Sequence, residues 1–188
     1  GNDTEGLHYG VIKTPEKFWL RWKEPCGEPC EPSLFTPDRY PNELDRSVLQ
    51  FFEPHRLLEY IHDFIIFDGG RKKTARPNQY FAIKAAQPRV RNKENGIIWH
   101  SQGAGKSLTM VWLAQWIREN VVDARVVVIT DRDELDKQIE TGFKDAGEKI
   151  RRARSGAQLV SMLNEAEPWL ICTLIHKSVS YTHLTLPT

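Results

Sequence analysis

The sequence predicts an α/β protein with a parallel β-sheet, preceded by a helical segment and an irregular N-terminal segment. From residue 96 onward, apolar strand-like runs alternate with helical patterns in the order β-α-β-α-β. This order favours parallel strands joined by crossover helices. A glycine-rich turn, Gly103 to Gly105, separates the first strand-like run from the first helical pattern.

Composition excludes several classes of protein. The chain has 188 residues, of which 40% are hydrophobic, and its net charge is +1. It is long enough to bury a core, and no apolar run approaches the roughly 20 residues that span a bilayer. Six Trp, five Tyr and eight Phe argue against disorder. Three cysteines, an odd number, indicate a reducing compartment, and we expect a cytoplasmic protein.

The N-terminal part is the least regular. Residues 11–22 have strand-like and aromatic character, and residues 23–52 are expected to form a connector with prolines at 25, 29, 32, 37 and 41. Cys26 and Cys30 lie within it. They are either two loop thiols or half of a zinc site, but no second Cys/His pair follows to complete four ligands.

Residues 53–95 are predicted to be helical. Pro54 suits a first helical position, and apolar residues recur at helical spacing until residues 68–70 end the segment. A second helix is expected to begin at Pro77 and to stop or kink before Pro88. Residues 71–93 contain eight Lys/Arg and no Asp/Glu, either as a solvated basic face or as a contact with a phosphate backbone.

The remaining elements follow from apolar patterning. Residues 96–99 read as a strand, and residues 107–120 as a largely buried helix. The β-branched run 125–129 is typical of a strand covered on both faces. Thr130 or Asp131 could cap the next helix. A further helix is expected over residues 155–163, and a strand over residues 169–173.

The glycine-rich turn carries the strongest chemical signal. Gly103 and Gly105 permit positive φ and leave room for a phosphate, and Ala104 lies between them. Backbone N–H groups at the start of the next helix can then face an anion. Lys106 supplies a cation for the outer phosphates, and Ser107 supplies a hydroxyl ligand for Mg²⁺. The general pattern has glycine at position 100, where this chain has His100.

Residues 96–117, GIIWHSQGAGKSLTMVWLAQWI, resemble the first motor motif of the restriction (R) subunit of type I restriction–modification enzymes. These subunits are superfamily-two helicase-like DNA translocases. Residues 76–82, RPNQYFA, resemble the glutamine motif upstream of such motors. By this resemblance Gln79 reads the adenine edge of ATP; the alternative is a surface glutamine on a helix.

Residues 127–138 resemble the second motor motif of the same family. The resemblance implies that Thr130 and Arg132 contact phosphates of one DNA strand, which suits a helix N-terminal turn. A plain strand–turn–helix connection with solvated charges is the alternative. Residues 170–177 resemble the next family segment, in which Cys172 is expected to be a buried strand residue rather than a nucleophile.

The resemblance implies a domain organisation: residues 1–22 end a nuclease domain, residues 96–177 form the first half of a RecA-like motor domain, and residues 178–188 are a possible non-native tail. It also implies ATP and Mg²⁺ as cofactors, and double-stranded DNA with modification (methyltransferase) and specificity subunits as partners. No nuclease carboxylates, Asp-Glu strand or second RecA-like domain are visible, so we expect this chain alone to be inactive. Another helicase-like ATPase and a non-catalytic half-domain are the alternatives.

Overall fold

The computed structural model describes residues 1–24 and 42–176. The helices are α1 (Glu43–Phe51), α2 (Pro54–Asp63), α3 (Pro77–Arg91), α4 (Lys106–Asn120), α5 (Asp133–Asp145) and α6 (Gly156–Asn164). The strands are β1 (His8–Tyr9), β2 (Leu20–Arg21), β3 (Ile65–Asp68), β4 (Arg71–Thr74), β5 (Val126–Thr130), β6 (Ile150–Arg152) and β7 (Leu170–Leu174). The predicted α/β class is therefore confirmed.

The chain divides into two compact units. The first comprises Gly1–Ile66 with Arg71–Trp112, and the second comprises Phe67–Gly70 with the chain from Leu113 onward. The core of the first unit contains aromatic rings in mutual contact, which we call the aromatic cluster. Its members are Tyr9, Trp22, Phe51, Tyr60, Phe64, Tyr80 and Phe81.

The N-terminal segment is less extended than the sequence suggests. Within residues 11–22 only β2 is a strand, and it pairs with β1 in antiparallel register. Helix α1 begins inside the predicted connector, because Asn42 caps it by accepting a hydrogen bond from the backbone N–H of Asp45 at 2.8 Å. Cys26 and Cys30 lie outside the described residues.

Helix α2 begins at Pro54 as predicted, but it ends at Asp63 instead of continuing to residue 67. The residues after it form β3, which pairs with β4 across the turn at Gly69 and Gly70. Both glycines have positive φ, at 56° and 76°. Two consecutive residues of this kind favour a tight hairpin turn, so the glycines turn a strand rather than stop a helix.

Helix α3 continues through Pro88 to Arg91, so of the two predicted outcomes, a stop or a kink before this proline, the stop is wrong. A proline removes one backbone donor and crowds the preceding turn. Pro88 lies only three residues before the end of the helix, and the backbone N–H of Asn92 still bonds to its carbonyl at 2.9 Å. The final turn of α3 is therefore kept.

The strand predicted over residues 96–99 is not formed, although its sequence is apolar. Ile97 is 91% exposed and Trp99 is 89% exposed. A strand exists only when a neighbouring backbone completes its hydrogen bonds, and none of the sheets among the described residues includes this segment. The apolar pattern was therefore an insufficient signal at this position.

The second unit contains a three-stranded parallel sheet in the order β5-β7-β6. Parallel pairing was predicted and is confirmed, but β6 was not predicted. Strand β7 lies between the other two, and all five of its residues are buried. Strand β5 is less covered than predicted, since Ile129 is 53% exposed. On one face of the sheet, Val127 packs against a cluster of Ala153, Leu159, Met162 and Ile171.

The helices of this unit begin as the sequence suggests, with one difference. Ser155 caps α6 by accepting from the backbone N–H of Gln158 at 3.2 Å. Helix α5 is preceded by Arg132, not by Thr130 or Asp131, and Arg132 makes no side-chain capping bond. The acidic first turn of α5 instead interacts favourably with the helix dipole. In the described part of the chain, no helix combines the length and apolarity needed to cross a membrane.

Candidate nucleotide-binding site

The glycine-rich turn forms a loop immediately before α4. Gly103 has φ of 79° and Gly105 has φ of 83°, a conformation that glycine adopts without steric cost. A Cβ atom at Gly105 would lie 2.4 Å from Nε2 of Gln79, whereas a Cβ atom at Gly103 would have no described atom within 4 Å. Both glycines are therefore needed for the turn, and Gly105 is needed also for close approach.

Side chains at the start of α3 contact three consecutive carbonyl groups of this loop. The Arg76 guanidinium donates to the Gly103 carbonyl at 3.2 Å, and Nδ2 of Asn78 approaches the Ala104 carbonyl at 3.5 Å. Nε2 of Gln79 donates to the Gly105 carbonyl at 2.9 Å. A trans peptide is planar, so its N–H and its carbonyl point in opposite directions. The N–H groups of Ala104, Gly105 and Lys106 therefore point away from α3.

The start of α4 provides the groups that bind an anion. The first N–H groups of an α-helix have no partner within the helix, and they lie at its positive end. Lys106 is the first residue of α4 and is exposed, and its ammonium donates to the Ser101 carbonyl at 3.0 Å. Ser107 follows in the same turn and is half-buried. A cation, a hydroxyl and free N–H groups are thus gathered at the loop.

A cavity of about 460 Å³ opens beside the loop. His100 replaces the usual first glycine, and its Nε2 lies 3.3 Å from the Asn78 carbonyl. Its Nδ1 is buried and has no partner among the described residues. The cavity lining combines a guanidinium with polar groups and contains no carboxylate, which suits an anionic ligand. Its residues are Arg76, Asn78, Trp99, His100, Ser101, Gln102, Gly103 and Ala104.

Gln79 is buried, with 2% of its surface exposed, rather than lying on the helix surface. Its Oε1 accepts from the backbone N–H of Arg76 at 2.8 Å, and its Nε2 donates to Gly105. An amide carries two donor protons and two acceptor lone pairs. One donor proton and one acceptor lone pair remain unused, but Gln79 does not line the cavity described above. The adenine-reading role therefore stays a prediction.

The two residues predicted to contact DNA lie at the end of β5, in the second unit. Arg132 is exposed and pairs with Asp131 at 3.6 Å, an arrangement that leaves its guanidinium accessible to a phosphate. Thr130 is only 6% exposed, and its hydroxyl has no partner among the described residues. Three acidic residues occupy the first turn of α5. The DNA-contact roles of Thr130 and Arg132 stay predictions.

Cys172 has the environment expected of a structural thiol. It lies in β7 with no exposed surface. Burial, followed by the negative charge of Asp136, raises the pKa of its thiol to about 12. The thiolate is the nucleophilic form of cysteine, so this residue is inert at neutral pH.

Sequence reasoning identified the loop but not all of the residues that shape it. Arg76 and Asn78 precede Gln79 within the glutamine motif, and this position was the only signal in the sequence that they contact the loop. His100 was noted only as a departure from the usual pattern. The hydroxyls of Tyr9 and Tyr60 donate to the carbonyl of Ala75, the residue before the glutamine motif. Nothing in the spacing of these residues along the sequence indicates this contact.

Comparison with known proteins connects this loop to a family. The sequence model of the SWI2/SNF2 ATPase family matches residues 78–185. The chain is 31% identical over 146 residues to the type I restriction enzyme MjaIXP endonuclease subunit of Methanocaldococcus jannaschii, covering 71% of this chain and 14% of that relative.

Two further relatives carry similar names. The type I restriction enzyme SauCOLORF180P endonuclease subunit of Staphylococcus aureus strain COL is 31% identical over 72% of this chain and 15% of its own length. The MjaVIIIP endonuclease subunit of M. jannaschii is 29% identical over 86% of this chain and 18% of its own length. The chain therefore spans less than a fifth of the length of these relatives.

Proposed function

Because this chain belongs to the SWI2/SNF2 ATPase family, we propose that it is the ATP-binding part of the endonuclease (R) subunit of a type I restriction enzyme. One observation carries the proposal. Gly103 and Gly105 turn the backbone at positive φ directly before α4, where the ammonium of Lys106 lies over the loop. This arrangement matches what a phosphate group requires.

Different residues of the site bind different parts of the nucleotide. Gln79 selects the adenine base, and the N–H groups that follow Ala104 and Gly105 bind the phosphates. The N–H that follows Gly103 instead donates to the Ser101 carbonyl at 3.3 Å and holds the turn. Lys106 exchanges its bond with the Ser101 carbonyl for the outer phosphates, since a charged acceptor is stronger than a neutral carbonyl. The hydroxyl of Ser107 fits one position of a Mg²⁺ ion that neutralises the phosphates.

The whole subunit would use ATP to translocate along double-stranded DNA before cleaving it. Thr130 and Arg132 would contact the backbone of one DNA strand, and the modification (methyltransferase) and specificity subunits would complete the assembly. The relatives' names support this assignment over that of another helicase-like ATPase. An enzyme of this kind would act in the cytoplasm, where it meets foreign DNA.

Titration with a fluorescent ATP analogue tests the proposal. Lys106→Ala should weaken binding by about tenfold or more, since a charge-assisted hydrogen bond is worth about 1.5–3 kcal/mol. Lys72→Ala is the matched control, because Lys72 is an exposed lysine on β4 and belongs neither to the loop nor to the first turn of α4. Equal affinities for the wild-type chain and Lys106→Ala would overturn the assignment of this loop.

A further inference from the structure

Two tyrosine hydroxyls of the aromatic cluster meet at one backbone carbonyl. The hydroxyl of Tyr9 donates to the Ala75 carbonyl at 2.9 Å, and the hydroxyl of Tyr60 donates to the same oxygen. The two rings pack edge to face, with centroids 6.2 Å apart. Ala75 has no exposed surface, so its carbonyl depends on these hydroxyls rather than on water.

This carbonyl belongs to the peptide that precedes the glutamine motif. The same peptide plane carries the N–H of Arg76, which points the opposite way and donates to Oε1 of Gln79 at 2.8 Å. Nε2 of Gln79 then donates to the Gly105 carbonyl. The hydrogen bonds therefore form one continuous chain from the tyrosines to the loop, and consecutive bonds of this kind polarise one another.

The chain ends at a group that contacts the proposed phosphate. The Gly105 carbonyl also accepts from the backbone N–H and the hydroxyl of Thr109, at 3.2 and 3.3 Å. Since the carbonyl is held toward Gln79 and Thr109, the N–H of Lys106 in the same peptide is held in the opposite direction. The orientation of this N–H thus depends on the Gln79 amide together with Thr109, and the Gln79 amide depends in turn on the Ala75–Arg76 peptide.

We propose that Tyr9 and Tyr60 are positioning residues of the nucleotide site, and that they act on the phosphate loop through the Ala75–Arg76 peptide and the side chain of Gln79. The proposal rests on the proposed function of the loop. Both tyrosines precede residues 78–185, the part that matches the ATPase family. The N-terminal segment would therefore help to determine how well the loop binds a triphosphate.

Both hydroxyls are suited to a permanent donor role. Burial is the main cause that raises the pKa of Tyr9 and of Tyr60 above the ordinary value, so both remain protonated throughout the physiological range. The oxygen of Tyr60 also accepts from the hydroxyl of Thr74 at 2.9 Å, which directs its own proton toward Ala75. The two donors are partly redundant, because either one alone can satisfy the carbonyl.

Binding of inorganic tripolyphosphate to the 188-residue chain provides the test, because this probe has no base for Gln79 to read. Tyr9→Phe and Tyr60→Phe should each weaken binding by about twofold or less, and the double variant by about tenfold. The loss should exceed the product of the single effects, because only the double variant leaves the carbonyl unpaired. Titration calorimetry measures all three.

Tyr80→Phe is the matched control. The Tyr80 hydroxyl belongs to the same cluster but donates to Glu59 at 3.1 Å, outside the chain of bonds described here. Its removal should leave tripolyphosphate binding unchanged. A second measurement is hydrogen exchange at the Arg76 amide, which should become faster in the double variant but not in Tyr80→Phe.

The outcomes separate this proposal from the function on which it rests. If the wild-type chain binds tripolyphosphate and the double variant binds it equally well, the tyrosine role is overturned while the loop assignment stands. An equal loss in Tyr80→Phe would also overturn it, since general loosening of the cluster would then explain the effect. If the wild-type chain binds neither tripolyphosphate nor ATP, the proposed function fails and this proposal fails with it.

Discussion

The two loop glycines have the same backbone conformation but different surroundings. An alanine at either position would have to adopt positive φ, which costs roughly 1–2 kcal/mol for a residue with a Cβ atom. Gly103 faces open space, so this strain is the whole cost there. Gly105 adds a steric conflict, since its Cβ atom would lie 2.4 Å from Nε2 of Gln79.

Gly105→Ala should therefore weaken nucleotide binding more than Gly103→Ala. The added methyl group would displace the Gln79 amide and so disturb the orientation of the Lys106 N–H. We expect at least about a tenfold larger loss in Gly105→Ala, corresponding to about 1.4 kcal/mol. Titration of both variants with a fluorescent ATP analogue measures the difference. Equal losses would mean that backbone strain alone limits both positions.

Helix α5 and strand β6 are joined by a charge pair with one fully buried partner. Asp136 on α5 has no exposed surface, and Nε of Arg152 on β6 donates to its carboxylate. The same guanidinium also donates to Asp133. Removing the positive partner of a buried ion pair is costly because the remaining charge cannot be solvated.

Arg152→Ala should lower the free energy of unfolding by about 3–5 kcal/mol, the usual result of leaving a buried carboxylate without its partner. The double variant Arg152→Met with Asp136→Asn should recover much of this loss, since it removes both charges and keeps both side-chain volumes close to the original ones. Urea unfolding gives both values. If Arg152→Ala lowers the free energy of unfolding by less than about 1 kcal/mol, the pair behaves as an exposed ion pair and the prediction is contradicted.

Helices with long apolar patterns were predictable from the sequence. Strands that form only because another strand pairs with them were not. The pattern of α4 is sustained for four turns and gave its bounds within one residue. Strand β6 has only three residues, two of them arginines, and it exists because it pairs with β7. Residues 96–99 show the converse, since an apolar run without a partner backbone stays outside every sheet among the described residues.

At the scale of the molecule, the sequence predicted the motifs whose residues are contiguous in the chain. The phosphate loop and the glutamine motif are each contiguous, so their residue types and spacing carried the family resemblance. The contacts between them were not predictable, since 26 positions separate Gln79 from Gly105. Tyr9 and Ala75 are 66 positions apart, and only the fold reveals that they bond.

The 188-residue chain is expected to bind ATP without turning it over. Hydrolysis needs a group that orients the attacking water and positive charge that stabilises the transferring phosphoryl group. In the described part of the chain, the cavity beside the loop is lined by no carboxylate that could orient water. The chain should therefore bind ATP but release phosphate no faster than Lys106→Ala does, with or without double-stranded DNA.

A phosphate-release assay with both proteins and saturating ATP makes this measurement. Binding without turnover would agree with a site that holds the nucleotide but does not complete the reaction, since a single arginine that stabilises the transition state is worth about 10³–10⁵ in rate. DNA-stimulated release by the wild-type chain that disappears in Lys106→Ala would contradict the prediction. It would mean that residues outside the described cavity lining supply the missing group.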